Sequence, residues 1–330
     1  MKRLLTALVL LAAAAHTAAA QGTHLLVIVG LGGDAETSSR FHEWAVTLVD
    51  SARDKGRIPP ESVIYLGEDP ARDPDRISGR STREGIEGAL GRLAARARPG
   101  DRVLIVLIGH GASAAGEAKF NLPGRDFSAA EFSKLIDRFP GQTVAFVNTA
   151  SASGAFLGAL SGRDRVIVTA TRGDGERNQT RFPEFFVEAL VSLEGDLDKD
   201  GRVSMLEAFT WARQRTAASY EKDGQILTEH ALLDDDGDGK GTDAPGGESG
   251  DGALARTVFV SGAGEHAAPP PGADPALRAL YEERRVLEER VAALKASRQS
   301  MDADRYQQEL ERLLLELARK SREIREKEKR

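Results

Sequence analysis

His110 and Ser151 are the residues whose type and placement could do nucleophilic chemistry. Each closes an apolar run: Val103 to Gly111 reads VLIVLIGHG, and Val144 to Gly154 reads VAFVNTASASG. Runs of this kind predict buried parallel strands, and open α/β sheets place their sites at strand carboxyl ends. A histidine within reach of a serine hydroxyl is a general base beside a nucleophile. The same residues also admit a structural reading, with His110 a loop histidine and Ser151 the N-cap of a helix over Ala152 to Leu160.

A second constellation is acidic. Asp196, Asp198, Asp200, Gly201, Arg202, Ser204 and Glu207 occupy the diagnostic positions of a twelve-residue EF-hand loop. Three aspartates supply oxygens, Gly201 permits the turn, and Arg202 offers its carbonyl. Ser204 acts directly or through water, and Glu207 closes the site with both oxygens, so the expected ligand is calcium. The run DDDGDGKG from Asp234 to Gly241 repeats the first half with Asp234, Asp236 and Asp238, but its twelfth position falls on Pro245. It reads as a weaker calcium site or as a flexible acidic turn. Calcium at roughly millimolar levels outside cells can fill even a weak site.

The elements that must hold these residues alternate strand and helix. Leu25 to Val29 is a short apolar run, and Ser38 to Lys55 carries Phe41, Trp44, Ala45, Leu48, Val49 and Ala52 at helical spacing. Val63 to Leu66 predicts a strand, and a polar, proline-containing loop follows to Ser78. Ser81 or Thr82 caps a helix with Ile86, Leu90 and Leu93 on one face. Val103 to Ile108 predicts a strand, Ser128 caps a helix bearing Phe132, Leu135 and Ile136, and Val144 to Val147 and Arg165 to Ala170 are further strands. Helices are expected over Phe182 to Leu193 and Met205 to Tyr220. Val258 to Val260 reads as an edge strand, and the glycine- and acid-rich stretch Ala244 to Ala253 as mobile. The fold class is α/β, a mainly parallel sheet with helices on both faces.

The termini differ from this core. Lys2-Arg3, the apolar run Leu4 to Ala15 and the small residues Thr17 to Ala20 have the form of a signal peptide, with a retained anchor as the alternative. The expected location is periplasmic or secreted, without a membrane span in the mature chain. No cysteine occurs, so the core folds by burial without disulfides. The net charge of -6, with acids and bases interleaved, gives no reason to expect nucleic acid. Organisation is expected as a signal segment over 1–20, a domain over 21–265, a proline-rich linker over 266–275 and a helical arm over 276–330. In that arm Leu277, Leu280, Leu287, Val291 and Leu294 recur near heptad spacing, and Leu310, Leu313, Leu314 and Leu317 resume the stripe. It forms an antiparallel helical hairpin, a coiled coil with a second copy, or a solvated extension. The first two make it a surface for homo-oligomers or a partner.

A strand ending in His-Gly, then a helix, then a strand ending in a small-residue turn with Ser-Gly resembles the caspase-like peptidase fold, in particular the legumain and glycosylphosphatidylinositol-transamidase family. There the second strand ends in Asp or Glu, Ala, Cys, any residue, Ser and Gly. Here those six positions read Thr149, Ala150, Ser151, Ala152, Ser153 and Gly154. The resemblance spans roughly Leu25 to Asp238 and implies a three-layer α/β/α domain. It puts His110 at the general base and Ser151 at the nucleophilic cysteine, with Gly111 flanking the oxyanion hole. Arg172, Glu176 and Asn178, in the stretch Ala170 to Thr180, fall where the family shapes its specificity pocket. A serine there lacks the easily formed thiolate of the family's cysteine, and Thr149 replaces the acidic residue before it. The implied function is a catalytically silent homologue that binds a peptide or protein through Thr149, Ser151, Ser153, His110 and nearby amides. A Ser-His endopeptidase and a scaffold without a cleft ligand are the alternatives.

Overall fold

Strands that are apolar at every position are buried on both faces, and this sets the architecture. The computed structural model describes residues 21–54, 58–114, 117–198, 202–246, 250–259, 273–296 and 301–328. The expected signal segment and most of the expected linker lie outside them. In chain order the first half contains β1 (Thr23–Val29), α1 (Ala35–Asp54), β2 (Val63–Gly67), β3 (Gly79–Arg80), α2 (Arg83–Arg96), β4 (Arg102–Ile108), β5 (Gly111–Ala114), β6 (Glu117–Phe120), β7 (Phe127–Ser128) and α3 (Ala129–Ile136). The second half contains β8 (Thr143–Asn148), α4 (Leu157–Leu160), β9 (Arg165–Thr169), α5 (Phe182–Val191), α6 (Met205–Lys222), β10 (Leu232–Asp234), α7 (Pro275–Ala296) and α8 (Ala303–Glu328).

Seven strands form one sheet in the order β10-β9-β8-β4-β1-β2-β3. All pairings are parallel except β10 on β9. In β1, Leu25, Val27 and Val29 enter the core layer that holds Phe41 and Leu48 of α1, Phe186 of α5 and Phe209 of α6. Leu26 and Ile28 face the opposite layer, with Leu90 of α2, Phe132 of α3 and Leu160 of α4. The period-two alternation of a strand therefore feeds two cores, and the domain is a three-layer α/β/α sandwich.

Local sequence signals set the helix starts. Thr82 accepts from Gly85 N at 3.2 Å, and Ser128 forms a reciprocal capping box with Glu131.

Other elements differ from the sequence reading. A small antiparallel sheet, β5-β6-β7, fills the connection before α3. Its strands are two to four residues long, too short to show a period. The edge position expected for Val258 to Val260 belongs to β10. Phe259 makes only an isolated bridge to Ser204, Val258 accepts from Met205 N at 2.7 Å, and Val260 lies outside the described residues. Within the stretch expected to be mobile, Asp251 is 3% exposed and its backbone carbonyl accepts from Gly246 N at 2.7 Å. The Asp235 carboxylate holds that turn by accepting from Gly252 N and Ala255 N, each at 2.7 Å.

Helices α7 and α8 pack on one another. Leu277 and Tyr281 of α7 meet Ile324 of α8, and Val291 and Leu294 meet Leu313, so the start of one helix lies against the end of the other. Lys320 pairs with Glu283 at 2.7 Å and Lys327 with Asp274 at 3.4 Å. Among the described residues no helix is long and apolar enough to cross a membrane.

Candidate functional site

The chain leaves β1 toward β2 and β3, then returns on the other side of β1 as β4, β8 and β9. The crevice beyond the carboxyl ends of β1 and β4 is therefore the topological switch point, the position where such sheets bind ligands. Gly30 N donates to Ile108 O at 2.9 Å, Leu31 N to Asn121 O at 3.1 Å, and Asn121 N to His110 O at 3.0 Å. A Cβ on Gly30 would lie 2.4 Å from the Asn121 carbonyl, so the three segments close up only around a glycine. Half-buried His110 has Nε2 3.3 Å from the Gly32 carbonyl, and its ring stands edge-on to Phe41 at 5.3 Å. No carboxylate orients it among the described residues.

Ser151 is 3% exposed, and its hydroxyl is committed to the backbone of Gly111. Gly111 N donates to Ser151 Oγ at 3.2 Å, and the hydroxyl donates to the Gly111 carbonyl at 3.1 Å. No hydrogen bond joins it to His110 among the described residues. Nor does Ser151 cap a helix. The chain turns through Ala152 in the left-handed region (φ 54, ψ 16), and a 3-10 turn over Ser153–Phe156 follows without a side-chain cap. Alanine in that conformation stores on the order of 1 kcal/mol, and it directs Ala152 N to the Glu176 carbonyl at 2.8 Å.

Thr149 and Ser153 are wholly buried. Thr149 Oγ1 donates to Leu107 O at 2.8 Å, and Ser153 Oγ accepts from Ala170 N and Thr171 N, each at 3.1 Å. Both hydroxyls stitch strand ends together instead of facing a cleft, since every strand end in a parallel sheet leaves backbone groups to satisfy. Gly154 has the same role: a Cβ there would lie 2.2 Å from the Arg172 carbonyl carbon.

Of the expected pocket residues, Arg172 and Asn178 are exposed on the rim, while Glu176 turns inward. Glu176 Oε2 accepts from Arg172 N at 2.8 Å and His230 N at 3.0 Å, and its Oε1 lies 2.5 Å from His230 Nδ1. Nothing local in the sequence marks His230, which reaches this loop from just before β10. Beside it a cavity of about 40 Å³ is lined by Ala170, Phe182, Thr216, Glu229 and His230. The neighbouring Glu229 carboxylate caps α5, accepting from Arg181 N at 2.7 Å, Phe182 N at 3.1 Å and the Tyr220 hydroxyl at 3.0 Å. Burial pushes Glu229 above its usual range, against the opposing pull of those hydrogen bonds.

Two acidic groups lie elsewhere. Asp196, Asp198 and Glu207 each bring an oxygen within 4.8 Å of the others. Asp200 lies outside the described residues. Arg202 stacks over the Phe259 ring at 3.5 Å. Ser204 caps α6 in a reciprocal box with Glu207. Glu207 Oε1 also accepts from Leu197 N and Asp198 N, each at 3.1 Å, so the carboxylate already faces the loop. Burial raises Glu207 above its ordinary value, with the Asp198 charge adding to the shift.

The second group is Asp234, Asp236 and Asp251. Asp238, expected as the third member, instead accepts from Lys240 N at 2.7 Å. Burial, ahead of the neighbouring carboxylates, pushes Asp251 up to about 6. Burial likewise raises Asp234, opposed by hydrogen bonds from Ser161 and Gly237. Oxygen-only donor sets of this kind suit hard cations and not zinc or copper.

No protein-family model and no curated protein matches the sequence. What the site can do therefore rests on its own chemistry. At the strand ends there is a histidine and a serine that do not engage each other, beneath an exposed rim of Arg172 and Asn178.

Proposed function

We propose that this chain is a catalytically silent relative of the caspase-like peptidases, legumain type, which holds an extended peptide or protein segment at its switch-point cleft. The observation that carries the reading is the Ser151 hydroxyl, which both receives from and donates to the Gly111 backbone. A serine becomes a nucleophile when a base takes its proton, and here a backbone carbonyl takes that place. The second support is β5, an edge strand paired among the described residues with β6 alone, whose first residue touches Ser151. Ser113 Oγ donates to Asp174 Oδ2 at 3.1 Å, which ties this edge to the rim loop. Ser151 takes the Gly111 end of this edge; beyond it, an edge beside a rim is the geometry for adding an extended strand. In the same reading the protein is exported, and the α7–α8 arm serves assembly or partner binding.

The expected outcome is that calcium-loaded protein cleaves no member of a diverse peptide library and takes up no fluorophosphonate at Ser151. It retains a subset of extended peptides, more weakly in Arg172→Ala/Asn178→Ala. Cleavage abolished equally by Ser151→Ala and His110→Ala would establish the endopeptidase instead, and no retention would leave a scaffold.

Calcium in the 196–207 loop completes the reading. The support is the helix-loop-helix of α5 and α6 and the convergence of Asp196, Asp198 and Glu207. Calcium at about a hundred times its dissociation constant should raise the melting temperature by about 5–10 °C. Asp198→Ala/Glu207→Ala should reduce that rise. A rise of the same size in that variant, measured in parallel after chelator treatment, would sink the claim for this loop.

A further inference from the structure

Asp234 and Asp251 are buried, at 1% and 3% exposure, and one oxygen of each lies within 4.8 Å of the other and of an oxygen from Asp236. Three carboxylates this close repel one another, and taking two of them out of water adds to the cost. Among the described residues none of the three is paired with a lysine or arginine. Apart from the Ser161 hydroxyl beside Asp234, what binds them is backbone. Asp234 Oδ1 accepts from Gly237 N at 3.2 Å, Asp236 Oδ1 from Asp238 N at 3.0 Å, and Asp251 Oδ1 from Asp235 N at 2.9 Å. Each carboxylate is thus held by one oxygen, in a fixed orientation. Asp234 Oδ2 is buried with no hydrogen-bond donor at all. A buried carboxylate oxygen without a donor, next to two further carboxylates, calls for a positive charge.

We propose that Asp234, Asp236 and Asp251 bind a hard divalent cation, calcium by its all-oxygen donors, and that the ion ties the 250–259 segment to edge strand β10. Calcium tolerates the irregular set of oxygens and waters that three carboxylates on two segments supply, whereas magnesium demands near-octahedral geometry. The ion supplies the countercharge that the protein lacks there. It also secures a segment that reaches α6, through Met205 N donating to Val258 O at 2.7 Å. The site rests neither on the peptidase resemblance nor on the 196–207 loop.

The test uses the full chain, freed of metal by chelation and titrated with calcium chloride by calorimetry and thermal melting. In the Asp198→Ala/Glu207→Ala background, calcium should still bind with a stoichiometry of one and raise the melting temperature. Adding Asp236→Asn should weaken that binding at least tenfold, and adding Asp251→Asn should abolish it. Asp236 is exposed, so its variant keeps the fold and decides the matter even if Asp251→Asn unfolds. The proposal is overturned if the background variant binds no calcium or if Asp236→Asn leaves its affinity unchanged. Magnesium binding more tightly than calcium would overturn the choice of ion.

Discussion

Gly111→Ala is expected to lower stability by about 3 kcal/mol, the upper end for forcing a methyl group into packed structure. The reason is space. A Cβ at Gly111 would lie 2.3 Å from the Ser151 carbonyl oxygen and 3.3 Å from that of Lys119. Both are backbone atoms, so no side chain can rotate away. Lys119 belongs to β6, which is hydrogen-bonded to β5 on that side. Ser151 is held from the other side, because Ala152 N is bonded to Glu176 O and Thr149 N to Leu107 O. Relief requires the two chain segments to part, and parting breaks both Ser151–Gly111 hydrogen bonds. Urea unfolding of the variant against wild type measures the loss. A change under about 0.5 kcal/mol, the range of neutral surface substitutions, would mean that this contact is not tight and that Ser151 is freer than its hydrogen bonds imply.

The second large effect is expected at Glu229, where alanine should cost about 3–5 kcal/mol. In a place that is 4% exposed, truncation strands two backbone donors, Arg181 N and Phe182 N, and takes the carboxylate from the Tyr220 hydroxyl, which keeps Thr228 Oγ1 at 3.3 Å. Each buried donor without a partner costs about 1–3 kcal/mol. Water entering from the adjoining cavity offsets part of this, which keeps the total below the sum of two full penalties. Gln keeps one accepting oxygen but turns an NH2 toward a backbone N–H, so Glu229→Gln should fall between, at about 1–2 kcal/mol. Hydrogen exchange should locate the damage at the first turn of α5, whose start lacks any other side-chain cap. Unchanged protection there would show that α5 does not depend on Glu229.

Much of the scaffold is legible in the sequence because the forces that set it are local. The runs at Leu25, Val103, Val144 and Arg165 lie buried on both faces, as an unbroken apolar stretch requires in a parallel sheet. The capping pairs at Thr82 and at Ser128 with Glu131 fix helix starts within four residues. The two-residue strand β3 and the meander β5-β6-β7 carry no such signal, because a strand of two to four residues has no measurable period. Their strand character comes from pairing partners supplied by the rest of the chain.

His110 and Ser151 are recognisable as strand-end residues from the apolar runs before them. Their relation to each other is not, because it depends on how two loops lie across neighbouring strand ends. Close approach of the chain at Gly111 and Gly154, together with the left-handed turn at Ala152, joins Ser151 to a backbone and leaves His110 with Gly32 and Phe41. The acidic loops divide in the same way. Asp196, Asp198 and Glu207 lie within one turn-and-helix unit, so their spacing alone brings them near one another. Asp251 joins Asp234 and Asp236 from a later segment, while the closer Asp238 turns to Lys240.

By itself, then, the sequence determined the alternating α/β order, the buried faces of α1, α2 and α3, the caps at Thr82 and Ser128 and the acidic loop before α6. These follow from periodicity and hydrogen bonds that span a few residues. Only the tertiary structure decided which strand ends form the crevice, what the Ser151 hydroxyl touches, that His230 holds Glu176, and which third aspartate completes the second acidic group. Those contacts join residues tens of positions apart. They are selected by sheet order and close backbone packing, which no local pattern encodes.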